Sequence, residues 1–166
     1  MLPIIRKTVR VLLLNSENEL LLMCIETSDL ATLEGKQYER FWCTIGGAIE
    51  NEESIEQAAL REIYEESGIA SREVTLGCPV WYGSVDLLFK GRLTRFEETY
   101  IVARTHQRNV ALYAPTQEER RIVQDLRWFS LGTITQSAET FFPASLVNYL
   151  PDILKGRYPS RAIKIS

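Results

Sequence analysis

Residues 47–69 read GAIENEESIEQAALREIYEESGI. Ser54 followed three residues later by Gln57 has the form of a capping box, and Gly68 stands where a left-handed residue would close a helix. The helix predicted from Ser54 to Ser67 carries Ile55, Ala59, Leu60 and Ile63 at helical spacing, an apolar stripe suited to packing on a sheet. Glu62, Glu65 and Glu66 fall at positions i, i+3 and i+4, so three carboxylates share about 100° of one helix face. Like charges at these spacings destabilise an isolated helix by ~0.2–0.5 kcal/mol per pair. Most such clusters are solvated surface, and taken alone these three glutamates favour that reading. A hard divalent cation would compensate them, since Mg²⁺ or Ca²⁺ prefers carboxylate oxygen whereas zinc favours imidazole and thiolate.

The flanks read as strands. Ile4 to Leu14 and Leu20 to Ile25 are rich in branched apolar residues and bracket the turn formers Asn15 to Asn18, which predicts a β-hairpin. From Thr27 to Arg40 the pattern lapses into a surface loop, and Phe41 to Ile45 resumes strand character. Further strands are expected at Val74 to Tyr82, Thr99 to Arg104 and Leu126 to Leu131, giving a mixed sheet. Pro143 is expected to open a last helix through Ala144 to Leu150, with Pro151 kinking it or starting a second turn. No internal repeat is visible.

Composition narrows the class. A chain of 166 residues, 45% apolar and 25% charged, suits one domain spanning residues 1–166. Nineteen Lys and Arg against 22 Asp and Glu give a net charge of −3, which lacks the basic footprint of a polymeric nucleic-acid binder. The longest apolar runs fall far below the ~20 residues needed to span a bilayer, and Met1 to Arg10 is too charged for a secretory signal. The expectation is a cytoplasmic protein that does not cross a membrane. Cys24, Cys43 and Cys78 form no close C-x-x-C pair, and His106 is the single histidine, so a bound metal would be held by oxygen.

The stretch resembles the Nudix (MutT-like) hydrolase family. The family box is G-x5-E-x7-R-E-U-x-E-E-x-G-U, with U a bulky aliphatic residue, and every fixed position is met from Gly47 through Glu53, Arg61, Glu62, Ile63, Glu65, Glu66 and Gly68 to Ile69. Trp42 and the Gly46-Gly47 pair also look like the family's approach to its box; the departure is Ile45, where many members have Pro. The resemblance implies an α/β fold, a Nudix-type α/β/α sandwich with a mixed β-sheet. It implies a metal-dependent diphosphate hydrolase acting on a small-molecule nucleotide, either a nucleoside diphosphate derivative or a nucleoside triphosphate. Mg²⁺ is the implied cofactor, with Mn²⁺ as a substitute. Glu65 and Glu66 would be principal metal ligands, and Glu62 a further ligand or the general base. Glu53 would pair with Arg61 or reach the metal through water, while Gly46 and Gly47 let the backbone approach closely.

Beyond the box, the family often brings another acidic residue from the segment before a late Trp-containing strand; here Glu118 and Glu119 precede Trp128, with Glu97 and Glu98 as weaker alternatives. Arg40, beside the strand leading to the box, is a candidate for substrate phosphate, with Arg95 and Arg104 behind it. Trp81 and Tyr82 are read equally as base-stacking or core residues, and His106 as a loop residue. A homodimer is a candidate assembly. The competing reading is a catalytically silent Nudix-like module that senses a nucleotide or binds a partner.

Overall fold

Strand β4 (Arg40–Ala48) changes neighbours halfway along. Its first half pairs antiparallel with β2 (Leu20–Glu26), and Ile45 to Ala48 pairs antiparallel with β1 (Ile4–Leu14). Gly46 sits at the crossover with φ +141°, where a Cβ would stand 2.1 Å from the Val9 carbonyl oxygen. Only glycine permits both that dihedral and that approach.

The computed structural model describes residues 1–165. Around β4 the described residues form a nine-stranded mixed sheet. β1 runs parallel to β6 (Arg92–Thr105), which pairs antiparallel with β5 (Val74–Phe89). β3 (Leu30–Ala31) and β9 (Ile163–Lys164) join β5, β7 (Val123–Phe129) joins β2, and β8 (Phe141–Phe142) joins β4. Helices α1 (Ile55–Ser67), α2 (Gln117–Ile122), α3 (Leu131–Gln136) and α4 (Leu146–Leu154) complete the fold.

Period-two alternation in the central strands creates two cores. Val9, Val11 and Leu13 pack with Ala59 and Ile63 of α1, while Leu12 and Leu14 pack on the other face with Ile134 of α3 and Leu146, Leu150 and Ile153 of α4. Because both sheet faces are covered there, the second half of β1, Val11 to Leu14, reads as a continuous apolar run. The result is the expected α/β/α sandwich with a mixed sheet. Among the described residues no helix is long and apolar enough to cross a membrane.

Several boundaries differ from expectation. The predicted β1–β2 hairpin pairs only where Leu14 meets Leu20, because β4 and β6 occupy the remaining edges of β1. The strands expected at Val74 to Tyr82 and Thr99 to Arg104 extend into one long hairpin closed by Lys90 and Gly91, both at positive φ, the form of a two-residue type I′ turn. The last helix begins at Leu146, later than Pro143, and continues through Pro151 to Leu154, since burial of Leu150 and Ile153 outweighs the missing amide. The strand expected at Leu126 to Leu131 gives way to α3 at Ser130, whose side chain caps the helix.

Gly46→Ala is expected to lose at least about 3 kcal/mol of stability in urea unfolding, through steric overlap with β1 and a strained dihedral. Gly132→Ala, where the new methyl would stand 3.9 Å from its nearest neighbour, Ser130 Oγ, is expected to be near neutral. Equal midpoints for Gly46→Ala and wild type would contradict the crossover role.

Candidate active site

Helix α1 is held at both ends. Ser54 accepts the Gln57 amide while Gln57 accepts the Ser54 amide, completing the capping box, and Gly68 ends the helix in the left-handed region. The loop that follows β6 docks on the last turn: the Ala111 amide donates to the Ser67 carbonyl, and the Tyr113 and Ala114 amides donate to the Glu65 carbonyl. Carbonyls left over at a helix end are thereby satisfied. Tyr64 packs against Tyr113 with ring centroids 4.6 Å apart and the planes tilted by 45°, so it fastens this loop.

Arg61 gathers the acidic residues. Its Nε and Nη2 donate to the two carboxylate oxygens of Glu53 at 2.7 and 2.9 Å, a bidentate pair. Nη2 also donates to the Ala48 carbonyl at 3.0 Å, and Nη1 donates to Glu62 at 2.9 Å and Glu65 at 3.3 Å. The helix, the preceding loop and the end of β4 are therefore tied through one guanidinium. Hydrogen bonding to Arg61 lowers the Glu53 carboxyl pKa below its ordinary range.

Two of the four box carboxylates are inside the protein. Glu62 is 7% exposed and Glu66 4% exposed. The Gly46 amide donates to Glu66 at 2.8 Å. Gly47 lies so close to Glu62 that a Cβ there would stand 2.5 Å from its Oε1. The paired glycines thus allow backbone to form one wall of the site. Desolvation raises the Glu62 carboxyl pKa, opposed chiefly by Arg61. Glu66 is raised well above the ordinary value, by desolvation first and then by Glu62.

Of the residues expected beyond the box, Glu119 is brought near. It belongs to the capping box of α2 with Thr116, and it is close enough to Glu66 to act on it electrostatically. Glu118 instead pairs with Lys90 at 2.8 Å. Arg40 stands at the opposite end of β4 from Gly46, about 20 Å along an extended strand, in ion pairs with Glu26 and Glu139. Arg95 pairs with Asp86, Arg104 binds Tyr158 and Asn18, and His106 meets Ser16 at 2.8 Å. Trp81 is a core residue, whereas Tyr82 is exposed.

Arg10, Thr44 and Tyr100 were not legible as site residues. Arg10 lies on β1 opposite Gly46 and Tyr100 and donates twice to Thr44. Glu98 accepts the Tyr100 hydroxyl at 2.7 Å, and both act electrostatically on Arg10. The available signal was an arginine set between Val9 and Val11, just before the apolar run Val11 to Leu14.

The donor set suits a hard cation: carboxylate oxygens predominate, and two of the carboxylates are desolvated and mutually repelling. Among the described residues no three His, Cys, Asp or Glu side chains already converge as a cation cage, because Glu65 is turned to Arg61 and Glu66 to Gly46.

The raised carboxyl pKa values fix a sign. A group that binds its proton more tightly when folded contributes most stability below its unfolded pKa, near 4.5, and loses that contribution as pH rises through the folded value. Glu53, with its lowered pKa, contributes above 4.5 and loses its contribution as pH falls through its folded value. In the presence of a chelator, Glu66→Gln is expected to melt a few degrees above wild type at pH 8, with the gap closing toward pH 4.5. Circular dichroism melts across that range check it; a variant less stable than wild type at pH 8 would contradict the burial account.

The model of the NUDIX domain family matches residues 5–150. Among curated proteins none matches the chain in sequence. Among solved structures, the E. coli dihydroneopterin triphosphate pyrophosphohydrolase is 15% identical with a TM-score of 0.62, covering 92% of this chain and 99% of that one. A C. elegans Ap4A hydrolase is 20% identical with a TM-score of 0.59, covering 91% and 98% respectively. A MutT NUDIX hydrolase from Burkholderia pseudomallei is also 20% identical, with a TM-score of 0.58 and coverage of 90% and 98%. At such identities the structural likeness speaks for the fold alone. The family match, which runs from β1 into α4 and includes the whole Arg61-centred carboxylate cluster, shows that the chain belongs to the NUDIX domain family.

Proposed function

We propose that the protein is a metal-dependent hydrolase that cleaves the diphosphate linkage of a nucleoside diphosphate derivative or a nucleoside triphosphate. The observation that carries this reading is the burial of Glu62 and Glu66 beside each other at the Gly46-Gly47 wall. Burying an ionised carboxylate costs several kcal/mol unless a counter-charge is supplied. An acidic patch whose only role was solubility would face water.

Glu62, Glu65 and Glu66 are the residues that would hold Mg²⁺, or Mn²⁺ in its place. A divalent cation held there neutralises diphosphate oxygens and makes nearby water more acidic. Arg61 and Glu53 act by position, fixing Glu62 and Glu65 through the contacts above; Gly46 fixes Glu66 through its amide. In the reaction, a water oxygen bonds to phosphorus, the bond to the bridging oxygen breaks, and a carboxylate takes the water proton. Glu62 and Glu119 are the candidates for that carboxylate: Glu62 belongs to the cluster itself, and Glu119, on α2, lies within electrostatic range of Glu66. Two structural relatives are named for a triphosphate and for Ap4A, which supports a phosphoanhydride-containing substrate class.

A screen of nucleoside triphosphates, nucleotide sugars and dinucleoside polyphosphates with Mg²⁺, read by phosphate or diphosphate release, is expected to show turnover. Glu65→Gln and Glu66→Gln should each lower kcat/KM by on the order of 10²-fold or more, and Arg61→Gln by about 10–100-fold. Full activity in both carboxylate variants would sink the assignment, and nucleotide binding without turnover would favour the sensing module.

A further inference from the structure

The catalytic reading leaves Arg10 unused. Its Nε donates to Thr44 Oγ1 at 3.2 Å and its Nη2 donates to the Thr44 carbonyl. These bonds fix the guanidinium plane from one neighbouring strand and use two of its five donors. Glu66, Glu98, Tyr100 and the Cys43 thiol surround it closely enough to act on its charge. None of these carboxylates takes it into an ion pair among the described residues; Glu98 is engaged by the Tyr100 hydroxyl and Glu66 by the Gly46 amide. Arg10 is largely buried, and its Nη1, which takes no part in the Thr44 bonds, is not fully sealed from solvent, since no sealed side-chain nitrogen or oxygen among the described residues lacks a partner.

An oriented cation with unused donors differs from a counter-ion already satisfied. Arg61 shows the contrast within the same site, since it is engaged by Glu53, Glu62, Glu65 and Ala48 together. The guanidinium fork matches non-bridging phosphate oxygens in geometry and charge. Resting on the diphosphate hydrolase reading, we propose that Arg10 anchors one phosphate of the substrate from the sheet side, across from the carboxylates of α1. Glu98 and Glu66 keep the guanidinium from holding a bare anion, so the anchor works only once a divalent cation has offset the site's negative charge. Thr44 is the positioning residue that aims it.

The test uses the full chain with Mg²⁺ and methylenediphosphonate, a diphosphate that cannot be hydrolysed, titrated calorimetrically into wild type, Arg10→Gln and Arg10→Lys, each checked by thermal melt. Arg10→Gln is expected to weaken binding about tenfold or more and to raise KM for the best nucleotide by a similar factor, with kcat changed less. Arg10→Lys, which keeps the charge and loses the fork, should fall between. Binding and KM within about twofold of wild type in a folded Arg10→Gln protein would overturn the proposal. Should that variant not fold, Arg10→Lys decides: weaker binding supports the anchor and unchanged binding overturns it. Arg10-dependent binding with no nucleotide hydrolysed would sustain the anchor and sink the hydrolase reading. Turnover indifferent to Arg10 would do the reverse.

Discussion

Glu66 sets a carboxylate inside the protein with the Gly46 amide as its hydrogen-bond donor, and the surrounding architecture makes that placement tolerable. The donor can point there because β4 changes partners at Gly46, in a dihedral and at a backbone separation that a side chain would forbid. Gly47 extends the same opening to Glu62. Local backbone geometry, sheet topology and the electrostatics of the site are thus one constraint, set by two adjacent glycines.

The cations around this pair divide their work. Arg61 hydrogen-bonds to four residues and ties Glu62 and Glu65 to Glu53 in the loop before α1. Arg10 lies on β1 opposite Gly46, with its guanidinium held by Thr44. The loop carrying Tyr113 fastens on the end of α1 and leads directly into α2, which brings Glu119 within electrostatic range of Glu66. A site assembled from β1, β4, α1 and α2 therefore depends on tertiary packing for its geometry, although most of its carboxylates come from a single helix.

That division explains what the sequence revealed. Helix α1, its caps and its glutamates were legible because capping chemistry and helical spacing are local properties of the chain. The strand pairings were less so: the run from Ile4 to Leu14 looks like half of a hairpin, but it is the centre of a sheet whose neighbours lie far along the chain. Arg40 looked near the box by sequence, whereas an extended strand carries it to the other end of β4. Arg10 was hidden for the converse reason, since only the pairing of β1 with β4 and β6 brings it to Glu66 and Glu98.

If the buried carboxylates form a cation platform, cation binding can be measured without any substrate. Mn²⁺ titrated into the protein and followed by electron paramagnetic resonance reports the free ion as its signal is lost on binding. A site in the wild type is expected, markedly weakened in Glu66→Gln and in Glu65→Gln, while both variants stay folded. Absence of Mn²⁺ binding in the wild type, or equal binding in all three proteins, would contradict it.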